Sequence, residues 1–423
     1  MKLYQHQIDG LKQTEGQVNC ALYWDMGLGK TFGGSEKMCE YGNSVNLVIC
    51  QKSKISDWVD HFKTHYTVFV YDMSKKKDFE NFFKHSDLFS PRVAVISYQT
   101  AWRRKELLNL TDFTLMLDES SLIQNKTAKQ TKFILRLNPK NVILLSGTPT
   151  AGKYENLWTQ AHLLGWNISE ELYNRQYVNW KTVESDGFFH KIVDMDNPYK
   201  NVERLKQKLR EHGAVFMKTE EVFDLPEQTF ITVNCGSSKE YKKFMRDSIV
   251  RLGDGTELIG DQIFTKRLYA RQLCGMYSMD KLEAFRELIQ STNDRVIVFY
   301  NFTDELNKMV QLISEMGKKI SIVNGQVKDL TAYEEYEDSI TFIQYRAGSK
   351  GLNLQLANKM VYYSPTEMVD DWMQSQKRIH RIGQKKPCFY YQLVCENSIE
   401  ERIYDALAKG VDYTDDLFNM DSL

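Results

Sequence analysis

The sequence predicts an α/β protein of two tandem domains, each a parallel sheet flanked by helices. Three observations carry this. Short apolar runs recur between amphipathic or polar stretches, a second set of such runs follows an interval without them, and a glycine-rich loop bearing a lysine joins the first run to the first helical stretch. At 423 residues the chain exceeds one ordinary core, and the length prior allows two to three domains.

Taken in order, Cys20–Tyr23 reads as a buried strand and Phe32–Tyr41 as a helix. Val45–Cys50, Val68–Tyr71, Val93–Ser97, Phe113–Leu117 and Val142–Leu145 complete the first set of strands. From Thr150 to about Leu225 the strand signal fades, so 151–225 is expected as a mostly helical insertion at the end of a first domain spanning 1–235. Leu225-Pro226 should stop a helix, with Thr229–Val233 a strand leaving it. The second domain, 236–423, opens on helical Lys239–Val250 and Phe264–Cys274. Its strands are Val296–Tyr300, Ile320–Val323, Ile340–Gln344, Met360–Tyr363 and Phe389–Val394, and its tail from Asn397 to about Lys409 is helical, with the Ser398-x-x-Glu401 spacing of a capping box.

A hydrophobic share of 42% and a charged share of 26% are those of a globular protein. The formal net charge of −1 means that any nucleic acid must be held by a local groove, not by a global positive field. The seven cysteines are scattered, with no CxxC pair or Cys/His cluster, which points to a reducing compartment and away from zinc. Met1–Gln5 carries no apolar signal core and no run approaches membrane-spanning length, so a cytoplasmic protein is expected.

The loop Trp24-Asp25-Met26-Gly27-Leu28-Gly29-Lys30-Thr31 has the chemistry of a phosphate cradle. Gly27 and Gly29 let the backbone curl close to an anion and Lys30 reaches outer phosphate oxygens; the Thr31 hydroxyl can ligate Mg²⁺. Trp24 stands where the general pattern has its first glycine, and an ordinary turn with a stray lysine is the plainer alternative. Asp118 and Glu119 end the run Phe113–Leu117, where an NTPase holds its metal and polarises its water: Asp118 for Mg²⁺, Glu119 for the attacking water. Ser146-Gly147-Thr148-Pro149 follows the next run, a tight turn whose hydroxyls at Ser146 and Thr148 can sense nucleotide state. Near the other end, Arg378 and Arg381 are three apart and would share a helix face. They are either a guanidinium pair suited to a triphosphate or a basic solvated surface.

The order of these motifs resembles the Swi/Snf-like ATPases, a branch of the superfamily-two helicases, across nearly the whole chain. Asp25–Thr31 resembles D-E-M-G-L-G-K-T, and Leu3–Gln7 with Gly10 resembles L-R-P-Y-Q-x-x-G. Asp118-Glu119-Ser120-Ser121 with Asn125-Lys126 resembles D-E-A-H then K-N, and Ser146–Pro149 with Asn156-Leu157-Trp158 resembles S-G-T-P then N-x-x-E-L-W. Met217–Val222 through Leu225-Pro226 resembles R-R-T-K-E-x-V…L-P, Arg346–Leu354 resembles R-A-G-G-x-G-L-N-L, and Gln374–Gln384 resembles Q-A-x-x-R-x-H-R-I-G-Q. In its brevity the chain is similar to short bacterial and phage-encoded members, close to the minimum core.

The resemblance implies two tandem RecA-like domains with ATP and Mg²⁺ in the cleft between them, and hydrolysis coupled to translocation along DNA, usually duplex. It makes Lys30, Asp118, Glu119, Arg378 and Arg381 catalytic, the arginines as fingers, and gives nucleotide contacts to Gln7, Gly27, Gly29, Thr31 and Gly351. Coupling falls to Ser146, Thr148 and Gln374, and DNA contacts to Lys52, Lys54, Ser97 and Lys126. Three positions depart from the pattern: Ser121 for histidine, Trp24-Asp25 for Asp-Glu, and Met217 for the first arginine. A strand-separating helicase and a catalytically degenerate binding module are the competing readings.

Overall fold

The computed structural model describes residues 3–84, 91–150, 153–185, 188–194, 197–345, 352–414 and Phe418. The chain divides into two compact units, Met1–Val222 and Phe223–Leu423.

In the first unit the apolar runs form β1 (Cys20–Trp24), β2 (Val45–Cys50), β3 (Phe69–Asp72), β4 (Arg92–Ser97), β5 (Phe113–Asp118) and β6 (Asn141–Leu145). A hairpin follows, β7 (Trp180–Ser185) with β8 (Phe188–Val193), and then β9 (Ala214–Met217). All but the hairpin join one sheet in the order β3-β4-β2-β5-β6-β1-β9, every pairing parallel. The central strands β1 and β6 are buried at every position, as a parallel sheet covered on both faces requires. Register sets the loops level with one another: Leu22 of β1 pairs with Leu145 of β6, and Leu145 pairs with Asp118 of β5.

Flanking this sheet are α1 (Gln5–Lys12), α2 (Lys30–Tyr41) and α3 (Ile55–His65). Trp24 lies fully buried at the end of β1, opposite Met217 of β9. Its indole fills the space left by two glycines: a Cβ on Gly10 of α1 would sit 2.5 Å from Trp24 Cζ2, and one on Gly33 of α2 would sit 2.8 Å from Cζ3. That same Gly10 Cβ would stand 3.1 Å from Met217 Cε. Two of the three departures from the motif pattern, Trp24 and Met217, are therefore one packing cluster, made possible by glycines that contribute no side chain of their own.

The segment expected as mostly helical has more helix than strand, with strands that the expectation did not include. It holds helices Trp158–Leu163, Glu170–Tyr177 and Val202–Glu211, but also the β7–β8 hairpin and β9, which pairs with β1 inside the main sheet. Its side chains Leu157, Ala161, Tyr173, Leu205 and Leu209 belong to the same core as the sheet, so it completes the unit and does not stand apart from it. The hairpin strands mix lysine, histidine and glutamate with aromatics and lack the apolar run that marks the other strands, whereas β9 is such a run, four residues long like β3, and sequence reasoning passed over it.

The second unit begins with β10 (Gln228–Cys235), then a small antiparallel pair, β11 (Ile249–Arg251) and β12 (Glu257–Ile259). β13 (Val296–Tyr300), β14 (Ile320–Val323), β15 (Lys328–Asp329), β16 (Ile340–Gln344), β17 (Lys359–Tyr362) and β18 (Cys388–Cys395) follow. The sheet runs β10-β18-β17-β13-β16-β14-β15, parallel except for β15. The division read from sequence at 235/236 falls later than the break between units because β10, expected to close the first domain, pairs along its whole length with β18. Helices Lys239–Asp247, Ile263–Tyr277 and Ile399–Ala408 form where helical patterns occur. Two apolar clusters cover the faces of this sheet, and Lys281 and Glu400 form a buried ion pair at 2.5 Å beneath them. Among the described residues no helix is long and apolar enough to cross a membrane.

Two measurements probe this packing. Gly33→Ala should destabilise the protein by about 1–3 kcal/mol, because the added methyl meets an indole that has nowhere to move. In a Trp24→Phe background the same change should cost less, so urea melts of the four proteins that show simple additivity would refute the cluster. The second concerns His61. Ser35 Oγ donates to the Thr31 carbonyl at 2.8 Å, so its oxygen accepts from His61 Nε2 at 3.0 Å. Burial, aided by neighbouring His65, pushes the His61 imidazole from 6.5 down to about 4. The unfolded chain then binds more protons than the folded one between those values, so stability falls as pH drops from about 6.5 to about 4. His61→Gln should flatten that limb of a melting-temperature profile, and an unaltered limb would assign it to other groups.

Candidate functional site

The loops of the first unit leave the carboxyl ends of its strands, the edge where open parallel sheets bind ligands. β1 delivers the glycine loop. Gly27 and Gly29 hold φ of 91° and 76°, left-handed values that suit glycine, and Gly29 caps α2 without a side chain, so the first-turn N–H groups of that helix face the loop. Lys30 folds back over the loop, Nζ donating to the Trp24 carbonyl at 2.8 Å and the Asp25 carbonyl at 3.3 Å. A Cβ on Gly147 would lie 3.3 Å from that Nζ, which puts the Ser-Gly-Thr-Pro turn against the lysine.

Gln7 braces the same loop. It is buried, its Oε1 accepts from Tyr4 N at 2.9 Å, and its Nε2 donates to the Leu28 and Gly29 carbonyls at 3.2 and 3.3 Å. Asp25 Oδ2 accepts from Thr219 N at 3.1 Å, and Asp25 N donates to the Met217 carbonyl at 2.9 Å, which fastens the loop to the end of β9.

β5 delivers Asp118 and Glu119. Glu119 holds a left-handed φ of 54°, a strained value for a non-glycine residue, and Tyr98 Oη secures that turn by donating to the Asp118 carbonyl at 2.9 Å. Trp58 Nε1 on α3 donates to Asp118 Oδ2 at 2.8 Å, a contact that sequence reasoning missed because nothing in the α3 segment marks one of its aromatics as polar-facing. Burial pushes the Asp118 carboxyl up, and the Trp58 N–H together with the charges of Lys30 and Lys54 works against that rise. A carboxylate so placed is stabilised in its ionised form by a cation, and with the Thr31 hydroxyl at the start of α2 the donor set is the hard oxygen chemistry that suits Mg²⁺.

β6 delivers Ser146, whose Oγ accepts from Thr148 N at 3.1 Å; both side chains are buried. The expected DNA contacts are dispersed. Lys52 is exposed, Lys54 pairs with Asp57, and Lys126 pairs with Glu170. Ser97 is buried with its hydroxyl donated to Thr100 Oγ1 at 2.9 Å, so it does not present that group at the surface.

In the second unit the expected shared helix face is not formed, because the helix Val369–Gln376 ends before the arginines. They converge nonetheless. Arg378 Nη1 donates to the Leu352 carbonyl at 3.5 Å and Arg381 Nη1 to the same oxygen at 3.3 Å. Gln374 joins them: its Oε1 accepts from Arg378 Nη2 at 3.5 Å and its Nε2 donates to Asp370 Oδ2 at 2.9 Å. Arg378 is fully buried, an uncommon state for a guanidinium without a structural or functional reason. Gly351 and most of the run Arg346–Leu354 lie outside the described residues.

These loops, on two units of mostly parallel sheet, are the layout of a nucleotide-binding α/β protein. The SNF2-related domain matches residues 6–279 and the helicase conserved C-terminal domain matches residues 280–383. The first spans more than half of the chain, and the chain belongs to the SNF2-related family. It is 26% identical over 470 residues to the SWI/SNF-related matrix-associated actin-dependent regulator of chromatin subfamily A member 1 of Mus musculus, covering 95% of this chain and 42% of that protein. It is 25% identical over 451 residues to the putative ATP-dependent helicase/translocase YwqA of Bacillus subtilis (strain 168), covering 92% of this chain and 45% of that protein. The chain thus spans less than half the length of these two relatives. A solved Sulfolobus solfataricus SWI2/SNF2 ATPase core in complex with dsDNA matches at 18% identity and a TM-score of 0.45, over 100% of this chain and 93% of that one.

The Trp58 contact is directly testable. Trp58→Phe keeps an aromatic ring beside Phe62 and removes the N–H together with part of the buried indole, so a thermal melt is run alongside to separate lost packing from the lost bond. The variant should lower the rate of ATP hydrolysis about tenfold, the scale of one hydrogen bond to a charged group, while ATP affinity by equilibrium binding stays within about twofold. An unchanged rate would reduce the bond to a packing detail.

Proposed function

We propose that the chain is a DNA-stimulated ATPase motor that moves along duplex DNA. The observation that carries this reading is the meeting of three loops on one sheet edge. Lys30 sits against the Ser146–Pro149 turn, and its charge is felt at Asp118. The match to the SNF2-related domain supports it.

In this reading ATP binds the first lobe, its phosphates on the N–H groups at the start of α2. Lys30 exchanges its hold on the Trp24 and Asp25 carbonyls for phosphate oxygens. Thr31 and Asp118 would hold Mg²⁺, which when bound would neutralise part of the phosphate charge. Glu119 accepts a proton from the attacking water, Gln7 keeps the loop rigid behind the nucleotide, and Gly351 adds a nucleotide contact. Arg378 and Arg381 act as arginine fingers on the γ-phosphate, and their shared carbonyl at Leu352 holds the two together until then. Ser146, Thr148 and Gln374 relay nucleotide state, and Lys52, Lys54 and Lys126, but not the buried Ser97, belong to the surface that follows the DNA backbone. A cytoplasmic setting, in a bacterial host if the gene is phage-borne, completes the reading.

Phosphate release measured with and without duplex DNA tests it. Lys30→Ala should abolish stimulated hydrolysis, and Glu119→Gln should lower it by about 10²-fold or more while retaining ATP, the scale of a lost general base. Stimulated activity that survives Lys30→Ala would end the proposal. Displacement of a triplex-forming strand without separation of the duplex is the expected motor output; separation would favour the strand-separating helicase.

A further inference from the structure

Gln160 is a fully buried amide in the helix Trp158–Leu163, among the apolar side chains Leu157, Ala161 and Leu164. Its bonds lead to three different loops. Gln160 Oε1 accepts from Ser120 Oγ at 2.8 Å and from Tyr23 Oη at 3.0 Å, and its Nε2 donates to the Pro149 carbonyl at 2.8 Å. Ser120 follows the strained Glu119, Tyr23 precedes Trp24 at the root of the glycine loop, and Pro149 ends the Ser-Gly-Thr-Pro turn. One side chain therefore touches all three segments that form the nucleotide edge of the first unit.

An apolar side chain here would avoid the cost of taking an amide out of water, so the polar group is not the cheapest way to fill the space. What it adds is direction. Its oxygen can only accept and its nitrogen can only donate, so Ser120 and Tyr23 on one side and Pro149 on the other are held in a fixed sense. A second amide reinforces the same end: Gln124 Nε2 donates to the Pro149 carbonyl at 3.4 Å, and Gln124 Oε1 accepts from Asn156 Nδ2 at 3.5 Å. The helix itself is tied back to the acid segment by Thr159 Oγ1 donating to the Ile123 carbonyl at 2.9 Å.

We propose that Gln160 is a positioning residue that couples the Asp118-Glu119 turn to the Ser146–Pro149 turn, so that a shift at the acid turn moves Pro149 and with it the Ser146 and Thr148 hydroxyls that relay nucleotide state. Gln160 touches no reacting group. It acts through Ser120 and Pro149, and its effect belongs in the response of the rate to DNA, not in the basal chemistry. The inference rests on the motor reading above.

The test uses the full chain with saturating ATP, with and without saturating duplex DNA. Gln160→Met fills the same volume without polar atoms, and Gln160→Glu keeps the acceptor for Ser120 and Tyr23 but offers no N–H to Pro149. Both should leave basal turnover and the KM for ATP within about twofold while stimulation by DNA falls about tenfold, within the usual range of coupling between sites. Tyr23→Phe removes one of the two hydroxyls and should lose less. Thermal melts confirm that each variant is folded, and Tyr23→Phe decides the matter if the core rejects the other two. Stimulation that stays at the wild-type ratio in folded variants, or basal and stimulated rates that fall equally, overturns the coupling and leaves Gln160 a packing residue. A wild-type protein that DNA does not stimulate would instead sink the motor reading, and the coupling with it.

Discussion

The hydrogen-bonded register across β5, β6 and β1 is the constraint on which the first unit depends. Parallel strands have one common end, and their pairing leaves no freedom to slide by a residue without turning every buried side chain outward. Because Leu22 pairs with Leu145 and Leu145 with Asp118, the glycine loop, the Ser-Gly-Thr-Pro turn and the acid pair start from the same level. Lys30, Gly147 and Asp118, far apart in sequence, become neighbours without any loop reaching for another. The core beneath is apolar, and the polar groups gather at the rim.

Around that rim, positions that look irregular in the motifs are mutually adapted. Trp24 and Met217 face each other across β1 and β9, and both lean on Gly10. A tryptophan beside a phosphate loop would be an obstruction if it pointed outward. Buried between α1 and α2, it is a wedge that sets the spacing of the two helices carrying Gln7 and Lys30. The strained turn at Glu119 is steadied in the same economical manner, with Tyr98 holding the backbone on one side and Trp58 the carboxylate on the other.

Much of this was legible in the sequence, for a physical reason. A central parallel strand must be apolar on both faces, so β2, β5, β13 and β16 announce themselves within a residue. The glycine loop, the acid pair and the arginine pair are legible because their chemistry admits few residue types. What escaped are elements whose stability comes from their neighbours. β9 is a short strand completed by β1, and the β7–β8 hairpin carries too many polar residues to show a period. The arginines meet at one carbonyl without the helix expected to align them, because the turns after Gln376 serve as well. Trp58 and Gln160 were invisible, since a single tryptophan or glutamine in a helical stretch has no pattern to betray its partner.

The strand β10 has a mechanical consequence. It is the first strand after the break between the units, and it pairs in parallel with β18 from Gln228↔Cys388 to Cys235↔Cys395. A pull along such an edge strand loads its ladder in shear, so the bonds share the force and fail together; a hairpin pulled open at its end would instead unzip one rung at a time. Tension that reaches β10 along its own axis is thus borne by the whole ladder at once, and the second unit is anchored at its entry like a lap joint.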